Sequence, residues 1–521
     1  MSSNIRDVMK DFAKGGFTLF VGNSAASIIL AVGSIIVARL IGPEGLGLYA
    51  LSLTVPSILV GLIDFGINPA VTYYSTKLRV EGRLELLSKT LRAAYVSKAS
   101  IALVVTVVSF LYSNHIASLL NRPEATMLIQ ISSLLIVAQS IFGLNNSAFL
   151  GLENIRIYSN SLIAQSVAKL LLSPLLVLIG FGVVGALIGH IGSYLLVSII
   201  GYLALHKYLS TLATPSQDSF AESIKMMVRY GSPLYLTGII SIIITQFRTL
   251  ILAFFASNAE IGNFSVALTL TSMVNVLIFP LSALFPAFSR LKSESDLRKM
   301  FMICVKYATL FIIPATIAVM VLSKEVVFTL YGRAFDVAPR FLTLYLIQFL
   351  YVAGGSIVLT YLFNGVGKTG VVFRSELIDI GLFLPLATLL TMYYKVEGMI
   401  VASLIAFLAA LLYRLAVAIK DLKVNVDYKA SSLIISAALV AALPTLALQT
   451  LRLGNLFTLV VGALIYFAVY VTLLPLLGAL DENDVENLEQ IVSKLGLLWP
   501  ISRPILFYIK RLTKIRQRSQ Q

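Results

Sequence analysis

Ionisable side chains inside or at the mouth of apolar runs long enough to cross a bilayer are costly unless they serve a partner or a passing solute. Arg248 lies about eight residues, or about 12 Å, from the nearer end of its run. Arg39 closes the first run, and Lys169 lies about nine residues into the fifth. Cationic groups in an apolar cavity suit a phosphate, to which an arginine can donate in pairs. Arg248, Arg39 at the outer mouth and Lys169 toward the inner one are therefore the expected phosphate contacts. The acids Asp64 and Asp379 are too short to snorkel and can titrate, so they are the candidates for coupling or gating. Asp64 also stands where a cap is wanted before Asn68-Pro69, and Asp379 has Arg374 and Lys169 as prospective partners. Gln139, Asn145, Asn146, Gln165, His190, Gln246, Asn275 and Gln348 are the remaining polar residues within runs, expected as interhelical hydrogen-bond partners.

Other chemistries are poorly supplied. Cys304 is the single cysteine and there are three histidines, too few for a disulfide framework or a Cys/His zinc site. Gly367-Lys368-Thr369 resembles the end of a phosphate loop, but the position of its first glycine is Leu362, and the segment follows a membrane run. No cofactor, metal or catalytic residue is expected, and no nucleic acid. A channel filter or ring of like charges is also missing.

The elements that must position these residues follow from composition. Of 521 residues, 58% are hydrophobic and 12% charged, against about a quarter charged in soluble proteins. Fourteen apolar runs fit the length, an all-α polytopic membrane protein. With the N-terminus inside, Lys and Arg divide 31 to 7 in favour of inner segments, the outer seven being Arg39, Arg122, Lys324, Arg333, Arg340, Lys395 and Arg452. Both termini are thus expected in the cytoplasm, with the chain in the plasma membrane. The net charge of +15 belongs to the inner loops.

The sequence also repeats. Ala38, Gly47, Tyr49 and Leu53 meet Ala253, Gly262, Phe264 and Leu268, each 215 residues on. Gly151 and Ser161 meet Gly365 and Ser375 at 214, and Leu119 and Arg122 meet Leu330 and Arg333 at 211. Near-constant offsets at three separated places point to duplication. An even number of spans per copy gives two parallel-repeated six-helix bundles, at 1–205 and 230–420, enclosing a cavity. A cytoplasmic linker at 206–229 contains Pro215; two additional transmembrane helices occupy 421–480. The amphipathic, basic tail at 481–521 is expected on the inner membrane surface, with Trp499 and anionic lipid headgroups as anchors. Arg39, Asp64, Lys169 and Arg248 map to Phe254, Phe279, Phe383 and Gly33, so none of these charges is duplicated. Unduplicated charges suit an asymmetric ligand.

Val37-Ala38-Arg39-Leu40-Ile41-Gly42-Pro43-Glu44-Gly45-Leu46-Gly47-Leu48-Tyr49 resembles the first outer loop of the polysaccharide and oligosaccharide-lipid flippases of the multidrug/oligosaccharidyl-lipid/polysaccharide exporter superfamily. Asp64-Phe65-Gly66-Ile67, Leu330-Tyr331-Gly332 and the plan of twelve duplicated spans plus two extend the resemblance over essentially the whole chain. It implies two bundles working by alternating access, and movement of a polyprenyl-phosphate- or pyrophosphate-linked glycan from the inner to the outer leaflet. The lipid tail would trail through a lateral gap. Phe247-Arg248-Thr249 replaces the acidic residue usual in that family's seventh span, so a proton, a sodium ion and the membrane potential all stay open as drivers. The alternatives are a cation-coupled multidrug exporter, whose cavity should be acidic and aromatic, and a membrane glycosyltransferase or ligase. The short outer loops disfavour the latter.

Overall fold

The computed structural model describes residues 3–210, 220–275, 278, 281, 284–291, 293–451, 453–493 and 499–520. Pro215 with most of the linker, Arg452 and the stretch 494–498 lie outside the described residues, as do the side chains of Asn275 and Trp499. The chain divides into two compact units, Met1–Ser265 and Val266–Gln521.

Among the described residues every regular element is helical. The first unit holds α1 (Ser3–Leu62), α2 (Ile67–Val80), α3 (Leu84–Leu111), the short α4 (Ser113–Leu119), α5 (Thr126–Gly151), α6 (Ile155–Leu176), α7 (Gly182–Ser210), α8 (Phe220–Phe255) and the start of α9 (Asn258–Asn275). The second holds the rest of α9, then α10 (Leu284–Ser289), α11 (Glu294–Val321), α12 (Ser323–Leu330), α13 (Ala338–Leu350), α14 (Ser356–Gly365) and α15 (Thr369–Leu422). It ends with α16 (Tyr428–Thr450), α17 (Asn455–Leu477), α18 (Glu482–Ser493) and α19 (Trp499–Gln520).

The fourteen apolar runs do not map one to one onto separate helices. Eight helical stretches among the described residues are long and apolar enough to span, or nine when Ala338–Gly354 and Ser356–Gly365, bent by 51°, count as one. Three of the eight, Val21–Leu62, Ile155–Ser210 and Thr369–Leu422, run 42, 56 and 54 residues, about twice the ~20 that a bilayer needs or more. Each contains a break at a residue with φ above zero: Gly42, Gly180 and Lys395. Turns this tight join two spans with no intervening loop.

Pairings establish the directions of the first unit. Gly22 and Gly33 of α1 lie against Ser159 and Leu170 of α6, so this arm runs parallel to α6. Beyond Gly42, Gly45 and Tyr49 meet Val183 and His190, parallel to α7. Helices α6 and α7 are themselves antiparallel, because Ser173 donates to the Ala186 carbonyl and Gln165 to Ser193 Oγ. The chain therefore reverses at Gly42, whose φ of 69° is a glycine conformation. Thr72 and Thr76 of α2 donate to the carbonyls of Ser147 and Gly151, parallel to α5, whereas Tyr95 and Thr106 of α3 meet Asn145 and Ser133 in the opposite sense. With the second arm of α1 and α2 running the same way as one pass, six passes thus alternate up and down, and side-chain bonds to helical carbonyls hold them where water is scarce.

In the second unit α15 doubles back at Lys395, where Gly398 lets the Leu390 carbonyl close in. Thr445 donates to the Gly462 carbonyl (3.3 Å), pairing α16 with α17. The described parts of the tail form α18 and α19: Asp484 of α18 pairs with Lys306 of α11, and Tyr508 of α19 meets Thr472 of α17 at 3.0 Å.

Candidate functional site

The break after α1 runs Asp64-Phe65-Gly66, with φ of 45° at Phe65 and 75° at Gly66. Asp64 supplies no side-chain cap to α2. Its carboxylate instead takes the ammonium of Lys98, which also donates to Asn68 Oδ1 at 2.7 Å. Lys98 is 1% exposed on α3 and Asp64 19%. Lys98 is one of the 31 Lys and Arg counted to the inner segments together with the inner helix ends; it is buried because its helix turns that face onto α2. The signal was available, since Lys98 lies two turns inside the apolar run.

Lys169 is half-buried on α6, within electrostatic reach of His190 on α7. His190 Nδ1 and the Tyr49 hydroxyl share a 2.8 Å hydrogen bond, and His190 also adjoins Tyr194, which Gln139 hydrogen-bonds. An ammonium, an imidazole, two phenols and an amide thus gather from four helices, a donor-rich group inside an apolar bundle. Sequence reading named Lys169, Gln139 and His190 separately; their meeting depends on the parallel packing of the second α1 arm on α7. Lys169 is level with this cluster, toward the face that holds the Gly42 turn.

Arg39 is exposed on the first arm of α1. By the register of α1 against α6 it stands roughly seven residues, about 10 Å, beyond Lys169 along the same direction. Arg248 is half-buried on α8. Helix α8 crosses α1 and α2 antiparallel, with Ile242 against Gly61, the Tyr235 hydroxyl donating to the Leu62 carbonyl and Gly231 against Gly66. That register carries Arg248 to the level of residues roughly 49 to 55 of α1. Arg248 and Lys169 therefore share a depth with Tyr49, on different helices.

At the Gly42 end the duplication folds back on itself. A Cβ on Gly47 would strike the Asn258 carbonyl, and one on Gly262 the Pro43 carbonyl. Gly47 and Gly262 are repeat partners at 215 residues, as are Pro43 and Asn258. The contact is reciprocal, as in an isologous interface: equivalent loops of the two copies interlock through backbone alone. Arg122 donates to the Ala256 carbonyl beside it, and Asn258 to Glu124 at 3.3 Å.

In the second unit Asp379 is half-buried on the first arm of α15. Glu376 and Asp379 act electrostatically on Arg414 of the second arm, a partner that was not among the Arg374 and Lys169 expected from sequence. Arg414 is 3% exposed, donates to Thr360 Oγ1 at 2.7 Å and lies 5.8 Å from the Phe407 ring centroid. It too is one of the 31 basic residues counted to the inner segments and inner helix ends. Two carboxylates thus act on one guanidinium, whereas Asp64 and Lys98 pair one to one. Tyr331 of Leu330-Tyr331-Gly332 packs on Phe335, and burial pushes its hydroxyl up to about 12. Gly367 has φ 76° and forms a helix-ending turn, with Lys368 pairing to Asp421 at 3.0 Å.

This arrangement, alternating helical arms in duplicate with interlocking equivalent loops and charged side chains held between helices, defines a polytopic membrane transporter. The chain belongs to the polysaccharide biosynthesis protein family, which it matches over residues 12–292. It is 25% identical over 347 residues to the succinoglycan biosynthesis transport protein ExoT of Rhizobium meliloti (strain 1021), covering 66% of this chain and 67% of that one. The lipopolysaccharide biosynthesis protein WzxC of Escherichia coli (strain K12) is 25% identical over 328 residues, 60% of this chain and 62% of its own. Among solved structures, lipid II flippase MurJ in an inward closed conformation superposes with TM-score 0.68 at 16% identity, over 87% of this chain and 97% of that one. An inward-facing multidrug resistance MATE family transporter of the MOP superfamily gives 0.62 at 17%, over 78% and 99%.

Proposed function

We propose that the protein is a flippase that moves a polyprenyl-phosphate- or pyrophosphate-linked oligosaccharide or polysaccharide repeat unit from the cytoplasmic to the outer leaflet of the plasma membrane, by alternating access and without catalysing a reaction. The observation that carries the reading is the cluster around Lys169, a cation with hydroxyl and amide partners inside an apolar bundle of a polysaccharide-biosynthesis family member. An anionic, hydroxylated headgroup is prohibitively costly to desolvate into hydrocarbon, so it needs such a path. Lys169 and Arg248, at one depth, contact the phosphate in turn, and Arg39 receives it about 10 Å further out. The glycine interlock of Gly47 and Gly262 is the closed state of the outer exit.

The titratable carboxylates Asp379 and Glu376 beside Arg414 are where a proton or sodium ion drives the return step. Asp64, already neutralised by Lys98, holds the break between α1 and α2 and gates rather than couples. A multidrug reading needs an acidic cavity to hold a cation, and the paired state of Asp64 removes that charge from the first copy. Leaflet accessibility of a fluorescent polyprenyl-pyrophosphate glycan in proteoliposomes tests the proposal, with Lys169→Gln and Arg248→Gln expected to slow movement at normal protein levels.

A further inference from the structure

At the face that carries the α2–α3 turn, opposite the Gly42 end, a cavity of about 200 Å³ opens between the end of α2 and the start of α8. Its lining divides in two. Tyr74, Leu78 and Met226 give an apolar wall, and Lys77, Glu81, Arg83, Glu222 and Ser223 a polar one. Tyr74 is fixed by a T-shaped contact with Tyr230 (5.6 Å), which stacks on Tyr73 at 4.2 Å and 11°. Glu81 is oriented by Lys77 at 3.9 Å and Arg83 at 3.6 Å.

Two features select a ligand class. The polar wall carries two cations and two carboxylates, so a phosphate meets as much repulsion as attraction, while vicinal hydroxyls, which both donate and accept, satisfy both signs. The aromatic wall suits the C–H face of a ring, whose weakly positive hydrogens meet the negative face of a phenol. The volume falls below the roughly 300 Å³ at which drug-sized sites begin, which leaves room for one ring.

We infer that this cavity is a sugar site that holds a single neutral pyranose of the glycan before it enters the bundle. The inference rests on the flippase reading for its biological ligand, and it separates sugar recognition from the phosphate contacts at Lys169 and Arg248. The sugar docks with one face on Tyr74, Glu222 and Glu81 accept from adjacent hydroxyls, and Arg83 or Lys77 donates to a third.

The test uses the full chain in lipid nanodiscs and saturation-transfer NMR with the methyl glycosides of glucose, galactose, mannose and N-acetylglucosamine. At least one glycoside is expected to receive saturation, strongest on the C–H protons of one ring face. Glu222→Gln, a conservative change on an exposed side chain, is expected to weaken it about fivefold, as a weakened charge-assisted hydrogen bond would, and Tyr74→Leu to weaken it more. Saturation by none of the four, saturation unchanged in both variants, or displacement by inorganic pyrophosphate overturns the sugar site. Failure of wild-type protein to move lipid-linked glycan with glycoside binding intact overturns the flippase reading and leaves the site standing.

Discussion

The two copies of the repeat agree in three of their turns and disagree in their charges. Glu153 (φ 57°) and Gly367 (φ 76°), 214 residues apart, end equivalent helices with the same pair of bonds: Asn154 and Lys368 N–H reach back to Phe149 and Phe363, Glu153 and Gly367 N–H to Leu150 and Asn364. Asn121 and Gly332, 211 apart, both have positive φ. Gly182 (φ 52°, ψ −135°) and Lys395 (φ 49°, ψ −126°) match at 213. A positive φ costs a residue with a Cβ about 1–2 kcal/mol, yet Glu153 and Lys395 keep it. The turn geometry is what the duplication preserved. By contrast, Lys98, Lys169 and Arg414 have no charged repeat partner, and α5 is continuous where the second copy bends by 51° between α13 and α14 at Gly355. Scaffold is shared and chemistry is copy-specific, as an asymmetric ligand requires.

The sharpest way to break this comparison is at the reciprocal contact of Gly47 and Gly262. Gly47→Val or Gly262→Val puts side-chain atoms into a backbone carbonyl, and overpacking of this kind costs about 1–3 kcal/mol or more. Each variant is expected to lose nearly all transport and to leave residues of the outer loops open to a membrane-impermeant thiol reagent, read at an introduced cysteine. Equal effects at the two glycines support reciprocity, and a defect at only one denies it.

Next in size is the first copy's buried pair. Lys98→Met leaves the Asp64 carboxylate without its ammonium, a change that costs about 3–5 kcal/mol and should appear as a large fall in melting temperature. Adding Asp64→Asn to Lys98→Met is expected to restore most of it. In the second copy, Arg414→Met still leaves Glu376 and Asp379 close to solvent, so its fall in stability is smaller, while transport loses its dependence on the ion gradient. The smallest effect sharpens the match of turns: Glu153→Gly is expected to stabilise by up to about 1 kcal/mol and Gly367→Ala to destabilise by a similar amount, read from thermal unfolding.

The fold was largely legible because hydropathy and duplication are long-range, redundant signals. The offsets at Arg122/Arg333 and Gly151/Gly365 lie beside turns with positive φ in both copies, and Gly47 and Gly262 make reciprocal contacts. What could not be read was which side of a helix faces a partner. Lys98 and Arg414 fall in the inner-segment count because they stand toward the inner ends of their runs, yet a difference of one or two turns in depth and of about 100° per residue in direction decides between water and core. The Tyr49–His190 bond needs the reversal at Gly42, and that turn's identity rests on a conformation at one glycine. The bend at Gly355 has no counterpart in the first copy, so the repeat itself argued against it.

The most direct test of the account is transbilayer movement of a fluorescent polyprenyl-pyrophosphate glycan in proteoliposomes, measured for wild type, Lys169→Gln and Arg248→Gln at matched protein incorporation. The account predicts movement by wild type and a drop of roughly tenfold or more in each variant, the size of a lost charge-assisted contact. Wild-type rates in both variants, or no glycan movement by wild type alongside active efflux of cationic dyes, would contradict it.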